Sequence, residues 1–318
     1  MSKFERKFLQ RSWDRFPVIN TLLEHWALPG IVSHETGLRV AVRKNYVNFY
    51  RRGQSVAKLH STHRLLRLSV HEEYVAGTLK HERGEMKKAG YVDFDEAWLS
   101  DKTNATCVRR WISCAETYAG AEKSYVDELV AANPGVIDIE MGLPAYEGEK
   151  NAPRMDLVLI ENGAAPSLAF WEAKCADNSE ARARGEPKVV EHVQKYERWM
   201  AKPGRKADVV EAYRQAAAIL LDLATTAGKP RGPAQEAWRS FHEAPKVKVV
   251  GKPNVVIGGY CPEGYQEGME GNIEQRAGSL IERGHMKRLT DSFGLHVTYH
   301  ATAAEASKTL PRLQGDGS

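Results

Sequence analysis

The sequence predicts an α/β protein in which a mixed central sheet is flanked by helices and preceded by a small α+β domain. Three observations carry this. Two apolar runs, 154–160 and 168–174, flank the turn-rich link Glu161-Asn-Gly-Ala-Ala-Pro-Ser167 and read as a β-hairpin. Helical patterns stand on either side of the hairpin, at 121–133 and 187–200, and a strand pattern follows late, at 254–260. The first hundred or so residues carry short strands of their own, rimmed with basic residues.

In chain order, a first helix is expected from Phe4 to about Trp26. Residues 39–59 read as three short strands with turns near Lys44-Asn45 and Arg52-Gly53. Arg43 and Lys44 rim one turn and Arg51 and Arg52 the other, with Tyr46, Phe49 and Tyr50 between. Basic loop tips near aromatic rings suit phosphate contact and base stacking. Packing in a core and protection of a sheet edge explain the same pattern. Phe94, Trp98 and Trp111 are expected to pack on this sheet, and no named DNA-binding motif occurs.

The stretch 121–133 reads as a helix stopped by Pro134-Gly135, and 136–141 alternates as a strand. The hairpin comes next, and then a helix opened by Pro187. A helix at 207–227, ended by Gly228-Lys-Pro-Arg-Gly-Pro233, delays the strand at 254–260. Beyond it, 264–271 reads as a flexible loop, 273–292 as one amphipathic helix and 295–299 as an edge strand. The tail 314–318 is expected to be disordered.

Asp156, Glu172 and Lys174 concentrate the chemistry. With the turn centred on Ala164, Asp156 and Glu172 are expected to face each other across the hairpin, about 5 Å apart at Cβ. Lys174, two residues beyond Glu172, points to the same face. Val158, Ile160, Leu168 and Phe170 share the Asp156 face, while Met155, Leu157, Leu159, Ala169 and Trp171 occupy the other. Both faces are apolar, so the sheet is covered on both sides. Carboxylates against such a core need a partner. A divalent cation such as Mg²⁺ supplies one, and a salt bridge from Lys174 to either acid is the plainer alternative.

Asp156 and the tripeptide Glu172-Ala173-Lys174 resemble the defining motif of the PD-(D/E)XK nuclease superfamily, the restriction-endonuclease-like fold. Its core runs helix, three-stranded meander, helix, strand (αβββαβ), an order that residues 115–265 can follow. Met155 stands where the family motif has proline, and the nearest proline is Pro153. The resemblance implies that Asp156 and Glu172 hold one or two Mg²⁺ (Mn²⁺ as substitute) beside a scissile phosphate, with the Ala173 carbonyl as a further ligand. Lys174 would orient or help deprotonate the attacking water. Many members add an acid from the first helix. Glu122 lies on the stripe of Val126, Leu129 and Val130, as a ligand or a capping acid, whereas Glu128 points away. Glu140 on the first strand is the rival. On the second helix Gln194 is an auxiliary candidate and Tyr196 belongs to the core stripe.

Composition sets the outer limits. The 318 residues carry 45 Lys and Arg against 41 Asp and Glu, a net charge of +4. Charge is uneven: residues 1–110 hold 20 basic against 12 acidic side chains, and the remainder 25 against 29. A basic positioning or nucleic-acid-contact domain over 1–112 and a nuclease domain over 113–318 divide that charge sensibly. No apolar run approaches the roughly 18 residues of a membrane helix, and the N-terminus lacks a signal-peptide pattern. Four scattered cysteines argue against disulfides and structural zinc, and the eleven histidines show no ligand spacing. A cytoplasmic, metal-dependent nuclease is expected, a DNA endonuclease able to act as a homodimer, with phage defence a possible setting. The alternative is a catalytically silent nucleic-acid-binding or assembly module of the same fold.

Overall fold

The chain lays down two sheets in succession. The computed structural model describes residues 3–9, 12–76, 90–144, 152–163, 165–182, 185–262, 270–302 and 308–312. The expected flexible loop at 264–271 and the tail fall almost wholly outside these residues. The first sheet is an antiparallel meander of β1 (Arg39–Val42), β2 (Tyr46–Arg51), β3 (Gln54–Ser61), β4 (Leu66–His71) and β5 (Tyr91–Phe94). Around it lie α1 (Pro17–Glu24), α2 (Glu72–Ala76), α3 (Glu96–Ser100) and α4 (Cys107–Glu116). Phe94, Trp98 and Trp111 stack together against it, as expected.

Two expectations for this half need correction. The first helix begins only at Pro17: proline disfavours helical geometry in the residue before it, and Phe16 is non-helical, with φ −120° and ψ 82°. Two further strands, β4 and β5, continue the meander. The turns fall where expected. At Arg52-Gly53 both residues have positive φ, 43° and 72°, a two-residue turn of the type that matches strand twist. Gly53 is also required sterically, because a Cβ there would meet the Lys123 side chain at 2.6–2.9 Å.

The second half begins with α5 (Ala121–Ala132), followed by β6 (Val136–Gly142), β7 (Arg154–Glu161), β8 (Ser167–Cys175) and α6 (Lys188–Met200). Then come α7 (Arg205–Thr226), α8 (Pro233–Glu243), β9 (Lys248–Val249), β10 (Asn254–Gly258), α9 (Glu270–Glu282), α10 (His285–Asp291) and β11 (Val297–His300). The sheet is mixed, in the order β11-β10-β8-β7-β6, with β9 paired to β8. β7 runs antiparallel to β6 and β8, whereas β10 is parallel to both β8 and β11. Helix α5 covers one face, packing Tyr125 and Leu129 against Trp171 and Ala173. Helix α6 covers the other, with Val189 and Val193 against Val255 and Ile257 and Tyr196 against Phe170.

Here too the structure departs from expectation in places. The helix expected over 273–292 is broken in two at Gly284, whose φ of 71° is left-handed. α8 occupies what reads as loop, opened by Pro233 and buried through Ala237, Trp238 and Phe241. Met155 packs with Val158 and Phe170 rather than with Leu157. Its cross-strand partner Met141 follows Glu140, which has a left-handed φ of 52° within β6. The boundary drawn at 112 falls inside α4, and one hydrophobic core runs across it from Trp111 and Ile112 to Phe170 and Tyr213. Asp138 of β6 is buried and accepts hydrogen bonds from Arg6, Arg43 and Tyr213. No helix among the described residues is long and apolar enough to cross a membrane.

Candidate active site

The hairpin has the anticipated register, from Glu161 opposite Ser167 to Leu157 opposite Trp171. There the ladder stops, one pair short of Asp156 and Glu172. β8 continues from Trp171 to Cys175 paired with β10. The two acids are therefore not ladder partners, which corrects the expected juxtaposition. Asp156 is the first β7 residue past the fork, and its Oδ2 accepts the Ala173 N–H at 2.9 Å.

The first turn of α5 lies against this fork. Lys123 Nζ donates to Asp156 Oδ1 at 3.3 Å and to the Glu140 carboxylate. Glu122 Oε1 stands 3.3 Å from Lys174 Nζ, and its Oε2 accepts from Asn178 at 2.6 Å. Lys174 Nζ reaches Glu172 Oε1 at 2.9 Å and Glu180 Oε2 at 3.7 Å. From α6, His192 Nδ1 lies 2.9 Å from the same Glu172 oxygen. Asp156, Glu172 and Lys174 are each under a tenth exposed.

Family models, curated proteins and solved structures offer no match to this chain. What the site can do must be read from its own residues.

Five carboxylates (Glu122, Glu140, Asp156, Glu172, Glu180) surround two lysines. Burial raises the Glu122 carboxyl, and the Asp156 charge adds to this against the pull of Lys174. Burial also opposes ionisation of Asp156, yet Lys123, Lys174 and the Ala173 N–H hold its carboxyl below the usual range. Both lysines are pushed well above the ordinary range by their acidic neighbours, which overcome burial. They are ammonium groups across the working pH range. The hydrogen bond to Glu172 raises His192 against burial.

The sequence candidates divide clearly. Asp156, Glu172, Lys174 and Glu122 come together, and the Glu122/Glu128 choice falls to Glu122; Glu128 bonds Tyr260 and Lys308 instead. Glu140 joins at one remove, through Lys123, from a left-handed backbone position within β6. Gln194 does not join: it is directed to Glu186 at 3.1 Å on the surface. Ala173 lies in the β8–β10 ladder opposite Val256.

Three of the four basic residues assigned to nucleic-acid contact are committed to partners within the fold. Arg43 is buried on Asp138 and the Ile139 carbonyl, and Arg51 on Ser33, Gly37 and Glu116. Arg52 also pairs with Glu116, and only Lys44 is well exposed, paired with Glu5. Each arginine sits where a short turn leaves carbonyls or carboxylates to be satisfied from within. Sequence reading missed Lys123 and His192. His192 follows Val189 by three positions, on the edge of the buried stripe, which was the available signal.

Among the described residues, no group of three or more His, Cys, Asp or Glu side chains is arranged to hold a metal ion. Lys123 and Lys174 stand among the acids and neutralise part of them. The acids offer only oxygen, the donor that Mg²⁺ or Mn²⁺ takes, but each already faces a lysine, an asparagine, an arginine or a histidine. Asp156, Glu172 and Glu122 are the residues that would hold such an ion.

Proposed function

We propose that this protein is a metal-dependent phosphodiesterase of the PD-(D/E)XK type, acting on nucleic acid, with DNA as the favoured substrate. The observation that carries the reading is the convergence of Glu122, Asp156, Glu172 and Lys174 at the fork of β7 and β8. These residues come from one helix and two strands, in a helix–meander–helix–strand order that agrees with the family core. Glu122, Asp156 and Glu172 against Lys123 and Lys174 leave one negative charge over, which makes a poor closed salt bridge.

A bound divalent ion would polarise the phosphoryl group and acidify a water. The chain's own residues do the rest. Lys174, being protonated, orients the attacking water and offsets charge on the phosphorus as it becomes pentacovalent. Glu172 keeps Lys174 in place, and the Ala173 N–H fixes the Asp156 carboxylate. His192 holds the second flank of Glu172.

The alternative is a nucleic-acid-binding or assembly module without catalysis. Lys123 favours it, because it satisfies Asp156 and Glu140 with no ion present. The deciding experiment is cleavage of plasmid and single-stranded DNA by wild type and Lys174→Ala, with Mg²⁺, Mn²⁺ or EDTA. Cutting that needs the metal and is lost in the variant supports the phosphodiesterase. DNA binding without cutting by wild type supports the silent module, and cutting that survives Lys174→Ala refutes the site. Linear rather than nicked product would support paired sites in a homodimer.

A further inference from the structure

The first sheet has two unlike faces. Val47, Phe49, Leu59, Leu68 and Val70 enter the core. The other face carries polar and aromatic side chains: Tyr46 opposite His60, Asn48 opposite Lys58, and His71 opposite Tyr91. Aromatic rings on a core face are ordinary, but here they stand on the side away from the core. Tyr91 is 43% exposed, with Lys58 Nζ 3.8 Å from its ring centre and His71 edge-on at 5.6 Å. Tyr46 lies against His60 at 5.1 Å.

This face walls a cleft of about 630 Å³, and Glu140, Gly142 and Arg154 of the second sheet complete it. Glu140 also grips Lys123, which bonds Asp156. The cleft and the carboxylates therefore share a residue. On the cleft side of β2, Asn48 is 3% exposed. Its amide oxygen accepts from Ser55 Oγ at 2.8 Å, and its NH₂ has no hydrogen-bond partner among the described residues. That NH₂ faces the cleft with two donors available to an acceptor there.

The volume lies within the roughly 300–1,000 Å³ of small-ligand pockets, which admits one nucleotide and excludes a duplex. Rings that stack, an amide that reads a hydrogen-bonding edge and two cations at the rim are the chemistry of base recognition in single strands. The geometry points to this cleft as a pocket for one unstacked nucleobase of a nucleic-acid strand. Tyr91 stacks on the base, Asn48 donates to it, and Lys58 and Arg154 hold the flanking phosphates; Tyr46, three strands from Tyr91, lies beyond the reach of the same base. The choice of a strand over a free nucleotide rests on the phosphodiesterase reading of the neighbouring acids.

The test is fluorescence anisotropy of a labelled single-stranded oligonucleotide with wild type, Tyr46→Ala and Tyr91→Ala in EDTA. Circular dichroism checks that each variant is folded. Tyr91→Ala should bind about fivefold or more weakly, the lower end of what one stacking ring contributes, whereas Tyr46→Ala, three strands away, should keep wild-type affinity. An oligonucleotide of abasic sites should bind wild type and variants alike. Wild-type affinity in Tyr91→Ala overturns the pocket, and mononucleotides binding more tightly than the oligonucleotide overturn the strand assignment. Failure of the pocket and failure of the phosphodiesterase read differently. Metal-dependent cutting indifferent to Tyr91 removes the pocket alone, whereas Tyr91-dependent binding without cutting in Mg²⁺ or Mn²⁺ removes hydrolysis alone.

Discussion

Replacing Lys123 by alanine should tighten binding of a divalent ion by roughly tenfold. Lys123 Nζ lies 3.3 Å from Asp156 Oδ1, and an ion ligated by that oxygen sits about 2.1 Å from it. The ammonium and the ion therefore stand no more than about 5.4 Å apart in the arrangement described. At that separation a single and a double charge repel by about 1.5 kcal/mol in water and about 6 kcal/mol at an effective dielectric of 20. The Lys123 side chain is 29% exposed and can swing towards solvent as the ion arrives, so the lower figure governs. About 1.4 kcal/mol is a factor of ten in affinity. Calorimetric titration with Mn²⁺ of wild type, Lys123→Ala and Asp156→Asn reads this directly, whether or not the protein cuts DNA. Affinity that is unchanged or weaker in Lys123→Ala refutes the argument that this lysine competes with the ion, and an undiminished affinity in Asp156→Asn removes the metal assignment.

Three further expectations follow from the geometry. His192 is raised by its bond to Glu172, so that contact is present below about pH 6.5 and is lost as pH rises through the folded value. Its NMR titration midpoint should exceed about 6.5 and fall in Glu172→Gln; a wild-type midpoint at or below that value contradicts the pairing. Asp138→Asn should cost about 3–5 kcal/mol in urea unfolding at neutral pH, because two buried guanidinium groups lose their counter-charge. Burial opposes its ionisation but Arg43 and Arg6 hold its carboxyl below the usual range. That stability is thus present above about pH 4 and disappears as pH falls through the depressed value; a cost under about 1 kcal/mol would mean the cluster is solvated. Finally, Glu122→Gln should slow cleavage by roughly 10- to 100-fold while Gln194→Ala leaves the rate unchanged, and equal losses in both would contradict the placement of α6.

Much of the second sheet was legible because its signals are local. Strand alternation and an Asn-Gly link placed the β7–β8 register, and Pro134-Gly135 and Pro187 punctuated the helices. The fork beyond Leu157 was not legible, since nothing in the two apolar runs says that the β7–β8 ladder ends there while the other edge of β8 goes on pairing with β10. Helical periodicity chose Glu122 over Glu128, yet could not show that its neighbour Lys123 would reach Asp156. Arg43 and Arg51 read as solvated turn residues because a count of charges says nothing about partners. Those partners, Asp138 and Glu116, lie 95 and 65 residues away. The helix at Pro233–Glu243 did carry its signature, apolar residues at 234, 237, 238 and 241 behind a proline, and only the preceding glycine-rich stretch disguised it.

The core that continues from Trp111 to Phe170, and the Asp138 carboxylate shared by arginines from the N-terminal segment and the first sheet, bear on how such a protein can diversify. Recombination that exchanged the N-terminal half for another would leave a buried acid without counter-ions and an apolar wall without its facing layer. New preferences for ligand cannot be acquired by swapping halves as cassettes. They have to arise by point substitution on the open face of the first sheet, where Tyr46, Lys58 and Tyr91 can change without disturbing what lies behind them.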